Sequence, residues 1–302
     1  MTRPAPFSAR DFGLVTLICL AWGCNFLTSA AALRELPPLL FTALRMIVLG
    51  LVLLPFLRRP PRAQWPLLVA VVLCNVVLHF GLSFWSLKLA GDLASPAIVM
   101  QTYVPMAVLL AWWMRGERFA WRTGLAVLVS FAGILVLGFD PIVLDNPHSL
   151  GLMLVSALFL AVGTVLMRGL SGIDAFSMQG WSAWIGLPPL LAWSALVEPN
   201  VWQSVAGASW IAWGGVAWAA LVASLLGHSL FFKLVQKHPV AQIAPYLLMA
   251  PVVAVLLGLL VWGDRPGPRL WLGGAMVLGG VLAIALRTLA KQRVVSPEPT
   301  EI

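Results

Sequence analysis

The sequence predicts an all-α polytopic membrane protein: ten transmembrane helices arranged as two inverted five-helix repeats. Three observations predict it. Apolar residues make up 61% of the 302 and charged residues only 10%. A soluble domain carries about 45–50% and about 25%, so too few polar residues exist here to cover globular surfaces. The apolar residues come in runs of about 20, the length a helix needs to cross a bilayer. A membrane barrel would instead show alternating segments of about 10 residues. The third observation is an internal repeat, taken up below.

The runs fall at 12–33, 38–57, 64–87, 93–114, 120–138, 149–168, 175–196, 208–232, 239–262 and 269–290. Turn-forming breaks separate them, such as Leu36-Pro37-Pro38 and Arg58-Arg59-Pro60-Pro61-Arg62; the longest connection surrounds 198–209. Lys and Arg placement sets orientation, because cytoplasmic loops carry the excess. One side takes both termini and the 2–3, 4–5, 6–7 and 8–9 connections. It holds fourteen basic residues, Arg3, Arg10 and Arg58 among them, against four on the other side, Arg34, Lys88, Arg265 and Arg269. Both termini are expected in the cytoplasm. Ala30-Ala31-Ala32 resembles a signal-peptide cleavage site, but the first apolar run is too long for one and is kept as span 1.

The net charge of +8 would suggest nucleic acid in a soluble protein; here the basic residues sit at helix ends and report topology, so no nucleic-acid partner is expected. Cys19, Cys24 and Cys74 all lie in apolar runs without ligand spacing. No metal, cofactor or catalytic residue is expected.

Two passages read alike, one from Met100 and one from Pro245. Pro105 matches Pro251, Gly116-Glu117-Arg118 matches Gly263-Asp264-Arg265, and Lys88 matches Lys233, at offsets of 146, 147 and 145. Each half then holds five spans, residues 1–140 and 141–302. Five is odd, so the second half is inserted upside down. Inverted repeats of this kind build transport sites near the midplane that open to either side.

The stretches WGCNFLTSAAALRELPPLLFTALRMIVLGLVLLP and YLLMAPVVAVLLGLLVWGDRPGPRLWLGGAMVLGGVLA resemble the EamA-type repeats of the drug/metabolite transporter superfamily. The resemblance covers about 12–290. It rests on Trp-Gly near the end of span 1, the Arg in span 2 and the Gly-acid-Arg after spans 4 and 9. It implies a multi-pass exporter of amino acids or related metabolites in the bacterial inner membrane.

Polar residues inside spans are expensive and usually face the bundle interior. Asn75, His79 and Ser83 are spaced four apart, forming one stripe along span 3. At the repeat offset of 145, His79 maps to Ser224 and Ser83 to His228, so span 8 carries a matching stripe. Gln101 in span 4 is expected at the height of His79. Trp22 and Asn25 from span 1, Gln179 from span 7, and Gln242 and Tyr246 from span 9 add neutral hydrogen-bonding groups and aromatic faces. This set is read as a substrate-binding lining suited to a zwitterionic or neutral solute, in contact with the lipid bilayer only outside. Phosphate would want several Arg or Lys at depth.

Arg45 is the one cation well inside a span, at a cost of about 2.5–3.5 kcal/mol on insertion scales. It is a candidate for a substrate carboxylate; satisfying helix-end carbonyls near the outer surface is the preferred reading. No Asp or Glu lies comparably deep, which favours facilitated export without an obligatory proton. Pro105 and Pro251 interrupt spans 4 and 9 and are read as gating positions. The expected protein is an exporter of neutral or aromatic amino acids, a monomer, working by alternating access. A multidrug or other metabolite exporter is the rival within transport. A membrane-embedded enzyme acting on lipid-linked substrates is the rival outside it, but no acid–base or metal-ligand cluster supports that.

Overall fold

The computed structural model describes residues 7–238 and 240–295. Arg3 and the outermost residues of both repeats, 1–6 and 296–302, lie outside the described residues. Within them the elements are helical, with no strand. The spanning helices are α1 (Ala9–Leu33), α2 (Pro38–Phe56), α3 (Arg62–Ala90), α4 (Ala94–Arg115), α5 (Trp121–Gly138), α6 (Pro147–Met167), α7 (Ala175–Val197), α8 (Trp210–Lys237), α9 (Gln242–Trp262) and α10 (Pro268–Val295). Nine of them are long and apolar enough to cross a membrane. The exception is α7, long enough at 23 residues but carrying Pro188, Pro189 and several tryptophans and glycines. The count of ten spans expected from the sequence therefore rests on α7.

Local chemistry explains most helix ends. Ser8 and Asp11 form a reciprocal capping box that starts α1 three residues earlier than the apolar run. Proline occupies the first turns of α2 and α6, where its missing N–H costs nothing. Gly91, Gly116 and Gly263 end α3, α4 and α9 at φ of 74°, 65° and 88°, a region glycine enters freely. Gly116 and Gly263 are the matched glycines of the two halves.

The helices pair in a pattern that repeats when their numbers shift by five. The α1 helix packs on α8 and α9; α6 packs on α3 and α4; α2 lies along α7 and α5 along α10. The α5–α10 contact is close enough that a Cβ on Gly133 would stand 2.6 Å from the Gly273 carbonyl oxygen.

Several spans are not regular. A widened π-helical stretch covers Leu73–Phe80 in α3 and Trp218–Gly227 in α8. The two begin 145 residues apart, the repeat offset. The α4 helix breaks at Gln101–Thr102 and α9 at Leu248. Each break lies three or four residues before Pro105 or Pro251, whose missing N–H removes the usual donor to the carbonyl four residues back; at Pro105 the Gln101 carbonyl accepts from the Val104 N–H instead, at 3.1 Å.

Candidate functional site

The π-helical stretches of α3 and α8 face each other across Arg45. Widening a helix by one residue per turn lets side chains leave the regular i, i+4 rows, and such stretches often mark functional sites. In α8 the Ser224 hydroxyl uses this freedom, donating to the Ala219 carbonyl five residues back at 2.7 Å. Its lone pairs are then left for Arg45 on α2, whose Nε and Nη2 both donate to it at 3.0 and 2.7 Å. In α3 the same widening places Phe80 beneath the guanidinium, with Cζ 4.1 Å from the ring centre; Phe84 is at 5.7 Å. Arg45 is 3% exposed, and its Nη1 has no hydrogen-bond partner.

Next to Phe80, His79 turns to α6. Ser156 Oγ donates to the His79 carbonyl at 2.9 Å and lies 2.8 Å from Nδ1, so Nδ1 carries the proton and donates to it. On the other side of Arg45, His228 Nδ1 donates to the Ser224 carbonyl at 3.0 Å. Its ring lies 5.4 Å from that of Trp22, whose indole N–H donates to the Ala223 carbonyl. A continuous row of polar and aromatic groups from α1, α8, α2, α3 and α6 thus crosses the bundle.

Arg45 corrects one expectation. It does not satisfy helix-end carbonyls near the outer surface; it reaches Ser224, fourteen residues into the 28-residue α8. Its own helix, α2, is short, so its eighth residue is already halfway along the regular part.

The remaining residues of the predicted set divide. Ser83 and Gln101 are buried, with Gln101 at the break in α4. Asn75 faces α6, where a Cβ on Gly163 would strike its amide, and Asn75 Oδ1 has no partner. Asn25 accepts from Ser29 at 3.3 Å within α1. Both amide atoms of Gln179 are buried and unpartnered on α7. Gln242 is half-buried at the start of α9. Tyr246 is not brought to Arg45; its ring stacks on Phe7 at 4.9 Å, at the end where α1 begins.

The chain matches the EamA-like transporter family twice, over residues 12–139 and 149–286. The protein belongs to that family. It is therefore a multi-pass membrane transporter, not an enzyme. It is 23% identical to the "Probable amino-acid metabolite efflux pump" of Escherichia coli K12, over 91% of this chain and 94% of the relative. A pump of the same printed name from Salmonella typhimurium is 25% identical, over 92% and 93%. A solved crystal structure superposes with a TM-score of 0.63 at 21% identity, covering 94% of this chain and 99% of that one; the likeness shows the fold.

Several contacts of this EamA-like chain escaped the sequence reading. Ser149, Ser156 and Gly163 lie seven apart on α6 and meet Ser86, His79 and Asn75 of α3. That spacing of small residues was the available signal. At the end carrying the 1–2, 3–4, 5–6, 7–8 and 9–10 connections, the end expected to face outward, carboxylates cap helices of the opposite half. Asp264 accepts from the Leu93 and Ala94 N–H groups at 2.9 and 3.1 Å. Glu198 accepts from Leu39 and Leu40, Asp140 from Gly267 and Leu270, and Glu35 from Ser209. Asp92 takes the Ser95 N–H and hydroxyl. Burial pushes Asp92 up to about 6 and raises Asp264 as well. The hydrogen bonds from Ser209 hold Glu35 below the usual carboxylate range.

At the other end Lys237 Nζ pairs with Asp11 at 2.8 Å. His238 Nε2 lies 3.1 Å from the same carboxylate but outside hydrogen-bonding geometry. Nothing in the sequence at Asp11 or His238 announces that pairing, since the partners are more than 200 residues apart.

Proposed function

We propose that the protein exports neutral or aromatic amino acids from the bacterial cytoplasm by alternating access, with ten spans as two inverted repeats and both termini inside. The observation that carries this reading is the row through Trp22, His228, Ser224, Arg45 and His79. Its hydrogen-bonding groups, neutral but for the Arg45 guanidinium, and its aromatic faces support a solute site within the bundle, where a bundle serving only as scaffold would be apolar. The shift-by-five packing pattern and the paired π-helical stretches support the inverted repeat, and the printed names of the relatives support efflux of amino-acid metabolites. The breaks before Pro105 and Pro251 supply places where α4 and α9 bend as one end closes and the other opens.

Among the described residues every Asp and Glu lies at a helix end or in a connection. No carboxylate is therefore placed at mid-depth to carry a proton, which supports facilitated export. The test is efflux of a labelled amino-acid panel from proteoliposomes with and without an imposed pH gradient, with His79→Ala beside the wild type. Export of at least one neutral or aromatic member, slowed at least fivefold by His79→Ala, is the expected result, since the change removes a buried hydrogen-bonded ring (about 1–3 kcal/mol). No movement of any amino acid ends the reading; strict dependence on the gradient ends its facilitated form.

A further inference from the structure

We infer that the free edge of Arg45 is the seat of the substrate's carboxylate, an assignment that rests on reading the central row as the transport site. A guanidinium carries one full charge and five N–H donors. Around Arg45 the chain answers only part of this. Nε and Nη2 share the single hydroxyl of Ser224, a neutral acceptor already fixed by the Ala219 carbonyl. Nη1 is buried with nothing to donate to. The two Lys/Arg–carboxylate pairs described, Arg168–Glu117 and Lys237–Asp11, leave Arg45 out. Its Cζ sits 4.1 Å over the Phe80 ring, which supports the guanidinium from that side.

A helix pin alone needs none of this. Glutamine at the same place would reach a serine hydroxyl with no charge to bury. What a guanidinium adds is a planar fork matched to two oxygens of one anion. The unpartnered Nη1, beside Nη2, presents such a fork, and the ligand it lacks is a single negative charge. A small monocarboxylate supplies that charge, and the Phe80 and Phe84 rings offer the apolar wall its side chain would touch. One fork without a second cation is a poor match to phosphate.

The test uses the full-length protein in detergent, with thermal unfolding read against phenylalanine, phenylalaninamide and phenylacetate. The amide keeps the ring and amino group but loses the charge; phenylacetate keeps ring and carboxylate. Both carboxylates are expected to raise the midpoint of the wild type, and the amide to leave it unchanged. In Arg45→Gln neither carboxylate should shift the midpoint. Arg45→Lys keeps the charge without the fork and should bind about tenfold more weakly. That variant also serves if Arg45→Gln fails to fold: undiminished affinity in Arg45→Lys then overturns the assignment. Equal stabilisation by the amide, carboxylate shifts that survive Arg45→Gln, or no shift by either carboxylate in the wild type also overturn it. Failure of amino-acid efflux with an Arg45-dependent phenylacetate shift would end the export reading while keeping the seat.

Discussion

The Gly-acid-Arg motif ends α4 on one side of the bundle and α9 on the other, and the two copies behave differently. Both glycines adopt the same left-handed turn. After it, Asp264 folds inward, 8% exposed, and caps the first turn of α4 in the opposite half. Glu117 swings outward and pairs with Arg168 at 2.9 Å, both side chains about half exposed. One sequence pattern thus makes a buried latch at one end of the bundle and a solvated ion pair at the other. Glu198, Asp140 and Glu35 also cross between the halves at the Asp264 end. The halves also meet at the other end, where buried Asp11 pairs with Lys237, so the contrast lies between the two copies of the motif.

The strongest way to break the comparison is Asp264→Ala. It leaves the N–H groups of Leu93 and Ala94 without their charged acceptor in a buried place. The expected cost is about 2–3 kcal/mol, read as a lower midpoint in thermal unfolding. Because the latch joins the two halves at this end, a cysteine placed at Leu36 should also become more reactive to a water-soluble thiol reagent. An unchanged midpoint would show that the α4 end finds other partners and that no latch exists.

The two copies were visible in the sequence as a pair, but their difference was not. The apolar runs and the matched prolines were legible because run length and a missing N–H belong to the residues themselves. Whether an acid after a glycine turns in or out depends on what the opposite half presents, and that is a tertiary fact. Arg45 shows the same limit. Counting residues from the start of span 2 put it near the surface, whereas its depth is set by the shortness of α2 and by Ser224 on a helix nearly 180 residues away. The π-helical stretches leave no mark in composition. His79 was found from its cost in an apolar run, but its partner Ser156 was passed over because a lone serine in a helix is cheap.

A smaller effect sharpens the Asp264 side of the comparison. Burial holds Asp92 at about 6 in the folded protein, above the ordinary 3.8. The folded state therefore binds this proton more tightly than the unfolded chain does. Stability from this group grows as pH falls from about 6 toward about 4 and is level on either side. Asp264 shifts in the same direction. Glu35, shifted downward, loses its contribution only as pH falls below the usual carboxylate range. Asp92 contributes a rise in stability as pH falls between about 6 and about 4, and Asp92→Asn should remove that contribution from midpoints measured across the window. A slope that persists in Asp92→Asn would place its origin elsewhere.

The smallest expected effect belongs to the Glu117 copy. Glu117 and Arg168 are exposed side chains in water-like surroundings, where the attraction is screened and two long side chains lose freedom to meet. Glu117→Gln should change stability by less than about 0.5 kcal/mol, and added salt should erase even that. A near-zero result is informative only beside Asp264→Ala, since the two residues share a motif and differ in what they touch. Were Glu117→Gln to cost as much as Asp264→Ala, Glu117 would be docked as well and the two copies of the motif would not differ in what they touch.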